Sequence, residues 1–235
     1  MLLYAMDMIE SKGMLVLASN SPRREELLML TGWSFRVLAK PVDEKVLPED
    51  EPDIYVERTA TRKAEAAVEA LAFRPGGERV VIACDTAVYD GRRILGKPVD
   101  REDAVEMLRN LRGRIHQVYS GLVVIDLLDG SAYKDTCITE VPMREYSEDE
   151  MMDYISSGDP MDKAGAYAIQ HNQFCPVIDL SGCYANVMGL PLCHLTRLMV
   201  NLNIMPEITV PEACQAYLKY NCQIFQSIME TEMRS

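Results

Sequence analysis

LVLASNSPRREELL, residues 15–28, is the stretch whose reading decides the fold. Leu15, Val16, Leu17 and Ala18 form a short apolar run with the pattern of a buried strand. Ser19, Asn20 and Ser21 end it. Pro22 follows where a first helical residue favours its fixed φ, ahead of Arg23, Arg24, Glu25, Glu26 and two leucines. A strand that feeds a helix through a polar turn leaves backbone N–H groups free at the helix start, a natural place for an anion. Arg23 and Arg24 add planar donors suited to phosphate oxygens. The same residues equally suit a plainer arrangement, in which Ser21 caps the helix and the arginines are solvated.

Downstream, residues 33–38 read as a second strand, followed by an acidic connection over 39–51 that carries Val42, Asp43 and Glu44. Val56, Ala60, Ala64, Ala67 and Leu71 recur at three or four residues and predict a helix over 53–71. Lys63 lies beside that stripe, either snorkelling to water or held at the edge of a cleft. After the breaker Pro75, Gly76 and Gly77, residues 79–84 read as a buried strand that stops at Asp85 and Thr86. An acid at the carboxyl end of a central strand is a common place for metal or acid–base chemistry in α/β sheets, and it also serves simply to cap a turn. A hairpin signal at 89–92 and a tight turn at 96–98 precede a helix begun at Asp100, with Ala104, Met107, Leu108 and Leu111 on one face.

Residues 115–125 and 132–143 read as strands joined by a turn at Asp129 and Gly130. His116, at the head of the first, is taken as structural. Ser147 with Glu150 is a capping box for a helix to about Ser156. The run GDPMDKAGAYAIQ, residues 158–170, surrounds Lys163 and Gln170 with small residues, which suits either a ligand approached closely by backbone or a tight turn against the sheet. Residues 177–180 and 183–187 read as a last pair of strands. Gly189, Leu190 and Pro191 open a further helix, and one more is expected over 211–229.

The balance of residues limits the function classes. The chain has 235 residues, 48% apolar and 26% charged, with a net charge of -12, so it can bury a core but lacks the basic surface that long nucleic acid requires. A few converging cations could still hold one small anion, and a divalent metal would be attracted as well. Seven cysteines stand at 84, 137, 175, 183, 193, 214 and 222, with no C-x-x-C pair. They are expected as free thiols in a reducing cytoplasm. Residues 1–13 are too short and too charged for a signal peptide or membrane span. The expected division is a leader at 1–13, a main domain at 14–200 and an extension at 201–235 that covers an edge or joins a partner.

Taken in order, LASNSPRREELL from Leu17, VDE at 42–44, ACDTAV at 83–88, LGKP at 95–98, MLRNLRGRIHQVYSG at 107–121, DKAGAYAIQ at 162–170 and GLPL at 189–192 resemble the Maf family of nucleoside triphosphate pyrophosphatases. The resemblance spans roughly 14–199; one departure is Asn20, where the family often has another small residue. It implies an α/β fold with a mixed twisted sheet flanked by helices, two lobes around a central cleft, and a homodimer. It further implies cleavage of a nucleoside triphosphate between its α and β phosphates, with a divalent cation, Mg²⁺ or Mn²⁺, as cofactor. The family's general base falls on Asp85 and its further metal-binding acid on Glu44. Its phosphate-binding cations fall on Arg24, Lys63, Lys97 and Lys163, beside Ser19 in the first turn. Three positions linked to substrate choice fall on Arg23, Thr86 and Gln170, the combination of the branch acting on dTTP and UTP.

The chemistry agrees with those assignments. An ordinary carboxylate, with a pKa near ~4, is a weak base, so Asp85 and Glu44 are expected to work with a metal. An amide such as Gln170 can donate to a pyrimidine carbonyl and accept from its ring N–H, which suits uracil or thymine. The rival classes are a non-enzymatic regulator of septum formation acting through a protein partner, and a nucleotide-binding module without turnover.

Overall fold

A computed structural model of the chain describes residues 14–47, 49–72 and 77–230. The leader at 1–13, the breaker residues Pro75 and Gly76, and positions 231–235 of the extension lie outside the described residues. The quoted stretch becomes strand β1 (Met14–Leu17) and helix α1 (Pro22–Met29). Then follow β2 (Phe35–Val37), α2 (Pro52–Ala72), β3 (Glu78–Tyr89), β4 (Ile94–Leu95), α3 (Arg101–Leu111), β5 (Ile115–Asp126), β6 (Ala132–Pro142) and α4 (Glu148–Ser156). Short helical turns at Asp159–Asp162 and Ala164–Ala166 lead to α5 (Tyr184–Met188), α6 (Leu192–Asn201), α7 (Val210–Leu218) and α8 (Phe225–Glu230).

The six strands form one mixed sheet in the order β2-β1-β3-β5-β6, with β4 also on β3. β1 runs parallel to β2 and β3, whereas β5 is antiparallel to both β3 and β6. Alternation along β3 sends successive side chains to opposite faces. Val81 and Ala83 pack on one face with Ala60, Ala64, Ala67 and Leu71 of α2. Val80, Ile82 and Cys84 face Leu27 and Leu28 of α1 and Leu195 and Leu198 of α6. The small alanines of α2 let its axis come close to the sheet, while full burial of Val56 contributes about 2 kcal/mol. Gly121 on β5 permits this approach, because a Cβ there would lie 2.6 Å from the Val56 carbonyl carbon. A separate cluster of Val88, Leu95, Leu108, Leu111, Val118, Met151 and Tyr154 builds the second lobe on α3 and α4. No helix among the described residues is long and apolar enough to cross a membrane.

Three expectations need correction. β3 does not stop at Asp85 but continues to Tyr89, because β5 pairs with it from Val80 to Tyr89 and carries it past the end of β1. The predicted strands at 177–180 and 183–187 are absent: Val177 makes one isolated bridge to Met143, and 184–188 is helix α5. Buried Asn186 decides this, since its amide donates to the Val118 carbonyl and to Thr139 Oγ1, both at 3.0 Å. Gly189, with φ of 114°, ends α5 in a conformation that favours glycine. The predicted helix over 211–229 is two helices, the first ended by Lys219 in the left-handed region.

Candidate active site

β1 ends at Leu17, opposite Ile82, and on that edge β3 has no further strand partner until β4 joins it at Val88. That leaves a stretch of β3 uncovered beyond the carboxyl end of β1, the usual place for a ligand crevice in an open α/β sheet. A cavity of about 1050 Å³ lies over it. Its walls come from the β1–α1 turn, the 39–46 connection, α2, β3, the 96–97 turn, residues 159–173 and the 187–189 turn. Ser19, Arg23, Arg24, Glu44, Lys63, Asp85, Thr86, Lys97, Lys163 and Gln170 all line it.

Two adjacent residues of β3 face opposite sides of the sheet, and each anchors part of the cavity. Asp85, buried, points toward α2, where Lys63 Nζ lies 2.6 Å from its Oδ1. The same ammonium is 2.8 Å from Glu44 Oε1. Glu44 reaches it from a connection without regular structure that α2 holds down. Tyr55 donates to the Glu44 carbonyl at 3.0 Å, Arg62 to the Asp43 carbonyl at 3.0 Å, and Arg58 pairs with Asp50. Burial pushes the Asp85 carboxyl above the ordinary carboxylate range, and the charges of Lys63 and Arg24 hold back part of that rise.

Thr86 points the other way. Its hydroxyl is 2.8 Å from Ser120 Oγ on β5 and receives a hydrogen bond from Arg24 at 3.0 Å. Arg24 also donates to the Gly189 carbonyl at 2.8 Å and to Ser19 Oγ at 3.3 Å. One guanidinium thus ties α1 to β3, to the first turn and to the end of α5. Ser21 occupies the N-cap position, but its side chain makes no capping bond; its own N–H donates to Ser19 Oγ at 3.2 Å.

On the far wall, Lys163 Nζ donates to Asp159 Oδ1 at 2.9 Å, to the Asp159 carbonyl at 2.6 Å and to Asp162 Oδ1 at 2.7 Å. Gly165 N–H donates to the Gly96 carbonyl at 3.0 Å, joining the Lys163 turn to the Lys97 turn. The side chains of Arg23, Lys97 and Gln170 have no hydrogen-bonded or ion-paired partner among the described residues. The cavity therefore has two lysines, Lys63 and Lys163, already committed to carboxylates, and three side chains, Arg23, Lys97 and Gln170, that are not.

Asp159, Asp162, Tyr55 and His171 also line the cavity and were not singled out from the sequence. The two aspartates precede Lys163 by four residues and by one in the 158–170 run, so proximity in the chain was the available signal. His116 does not line the cavity. It is buried, its Nε2 is 2.8 Å from Tyr167 Oη, and burial pushes its pKa down to about 4.

No group of three His, Cys, Asp or Glu side chains among the described residues is arranged to hold a metal. Asp85 and Glu44, sharing one ammonium, offer two carboxylates. That donor set suits a hard cation of the Mg²⁺ kind, which is commonly bound by one or two carboxylates with substrate phosphates and water completing the shell.

A family model described as Maf-like protein matches residues 14–202. A Dehalococcoides mccartyi protein named dTTP/UTP pyrophosphatase is 40% identical over 194 residues, covering 83% of this chain and 84% of that one. Proteins of the same name from Clostridium botulinum, 38% identical over 81% of this chain and 97% of theirs, and from Desulforamulus reducens, 42% identical over 77% and 92%, agree.

Proposed function

Because the chain belongs to the Maf-like protein family, we propose that it is a nucleoside triphosphate pyrophosphatase that converts dTTP and UTP to the monophosphate and pyrophosphate. The observation that carries the reading is the convergence of Arg23, Arg24, Lys63, Lys97 and Lys163 with the carboxylates of Glu44 and Asp85, from distant segments, on one cavity large enough for a nucleotide.

A triphosphate brings several negative charges, which must be offset before a nucleophile can approach. Lys163 and Lys97 would receive the phosphates from one side and Lys63 from the other. Arg24 is held by three partners, so it would present a fixed charge without reorganising. Asp85 would orient a water molecule and accept its proton as the water oxygen bonds to the α-phosphorus. The bond from that phosphorus to the α–β bridging oxygen breaks, and pyrophosphate departs with the electron pair. A carboxyl raised above its ordinary range is a better proton acceptor than an exposed one, which favours Asp85 for this role. A divalent cation, Mg²⁺ or Mn²⁺, held by Asp85 and Glu44 would supply further charge neutralisation and acidify the water. Gln170 and Arg23 would meet the base edge, with Thr86 supporting Arg24 between the two ends of the substrate.

The reading sets the enzyme in the cytoplasm, where its seven unpaired thiols would persist, and as a homodimer. The test is pyrophosphate release from a panel of canonical and modified triphosphates, with and without EDTA. Release from dTTP and UTP, abolished by EDTA and lowered by about 100-fold or more in Asp85→Asn, is the expected result. Nucleotide binding without turnover in the wild type would refute it.

A further inference from the structure

Tyr154 lies outside the cavity, yet it joins the two segments that supply Lys163 and Gln170. It stands on α4, whose start is fixed by the Ser147–Glu150 capping box. Its ring is buried, stacked on Phe174 at 4.4 Å between centroids and met edge-on by His171 at 4.6 Å. Its hydroxyl has two partners, and their chemistry fixes the proton. Ala168 N–H, 2.9 Å away, can only donate, so the phenol oxygen accepts from it. Asp159 Oδ2, 2.8 Å away, accepts the phenol proton.

Each partner leads into the cavity. The other oxygen of Asp159 holds Lys163 Nζ at 2.9 Å, so the hydroxyl sets the carboxylate that sets the lysine. Ala168 stands two residues before Gln170, and its carbonyl accepts the His171 N–H at 3.2 Å. His171 Nδ1 in turn accepts the Phe174 N–H at 3.0 Å, which closes the 168–174 loop around the Tyr154 ring. One buried hydroxyl therefore links the 159–163 turn, on the phosphate side, to the 168–174 loop, on the base side.

We propose that Tyr154 is a positioning residue that fixes the distance between the Lys163 grip and the Gln170 base contact, so that phosphate and pyrimidine are recognised together. This rests on the nucleotide reading of the cavity. Groups that must meet a substrate within fractions of an ångström depend on neighbours whose own rotamers are locked. Tyr154 supplies that lock to two of them at once. Losing its hydroxyl would leave the buried Ala168 N–H unpaired and Asp159 free to turn, although the aromatic stack would remain.

Tyr154→Phe separates this from simple packing. We expect its KM for UTP and dTTP to rise about 10-fold, its kcat to stay within about 3-fold, and its preference for UTP over CTP to narrow by about 10-fold, on the scale of one buried hydrogen bond to a charged group. Its dissociation constant for UTP, measured by calorimetry in EDTA, should rise in parallel, a readout independent of turnover. Asp159→Asn, which loosens only the lysine arm, should weaken UTP binding while leaving the UTP-to-CTP ranking intact; it also stands in should Tyr154→Phe fail to fold. A folded Tyr154→Phe protein with wild-type KM, binding and ranking would overturn the proposal. A wild type that binds UTP without releasing pyrophosphate would instead refute the catalytic reading, and the binding measurements would still decide the role of Tyr154.

Discussion

The Lys63 ammonium lies 2.6 Å from the Asp85 carboxylate, and both side chains are largely shielded from solvent. Burial alone raises Asp85 by disfavouring its charged form; Lys63 opposes that by favouring it. In the metal-free protein the Asp85 carboxyl should therefore titrate above ~4, the ordinary carboxylate value. Lys63→Met removes the opposing charge, and the remaining Glu44 carboxylate acts in the same direction as burial. That titration should move to still higher pH in the metal-free variant. Carboxyl titration of each protein in EDTA, followed by NMR, checks this, and a titration displaced downward would exclude Lys63 as the group that keeps Asp85 ionised.

Arg24 is expected to resist the conservative exchange. Its Nε and two terminal nitrogens reach Gly189, Ser19 and Thr86 in three directions, a fork that one ammonium cannot reproduce. Arg24→Lys keeps the charge and loses most of these bonds. Thermal unfolding should show a loss of about 1–3 kcal/mol, and kcat/KM should drop by about 10-fold or more. Equal stability and activity in the lysine variant would mean that charge alone matters at this position.

The fold was legible in the sequence where period, caps and turn residues agreed. Pro22 at the start of α1, Asp100 at the N-cap of α3 and the Ser147–Glu150 box all stand where local chemistry puts them. It was not legible at α5, where CYANVM has the apolar look of a strand. There the deciding interactions are the bonds of Asn186 to Val118 and Thr139, far away in the chain. The candidate site shows the same division. Ten residues drawn from separate motifs line one cavity, but no spacing along the chain signals that Arg24 is tied to Thr86 or that Lys63 bridges two acids. Tyr154 was hidden for a related reason: on an amphipathic helix it reads as core, and its hydroxyl acquires meaning only when the 159 and 168 segments fold around it.

His116 should make the fold sensitive to mild acid. Its pKa is depressed to about 4 in the folded protein by burial, against about 6.5 in an unfolded chain. The unfolded state thus binds the extra proton first. The stability associated with neutral His116 is fully present above about pH 6.5 and is lost as pH falls toward 4, by up to about 3 kcal/mol. His116→Gln keeps a polar partner for Tyr167 without the titration. The gap in unfolding free energy between the two proteins should shift in favour of the variant between pH 7 and pH 4.5. A gap that does not change with pH would mean that His116 titrates in the folded protein as it does in the unfolded chain.

Gly121 offers a way to move Lys63 without touching the cavity. It pairs with Asp85 across β3 and β5, and α2 passes directly over it. A Cβ at this position would meet Val56 C at 2.6 Å, and Glu57 N and Val56 O at 2.7 Å. These are backbone atoms, so no rotamer change relieves the overlap, and Gly121→Ala must push α2 away from the sheet. Lys63 sits about two helical turns beyond Val56 on the same helix. The shift should therefore lengthen its contact with Asp85. The expected outcome is a loss of about 1–3 kcal/mol in stability, typical of overpacking, together with a fall in kcat of about 10-fold. Trimming the neighbouring side chain with Val56→Ala should not rescue the double variant, because the collision is with the main chain. Rescue by that change would show that side-chain crowding, and not the approach of the helix backbone, is what Gly121 accommodates.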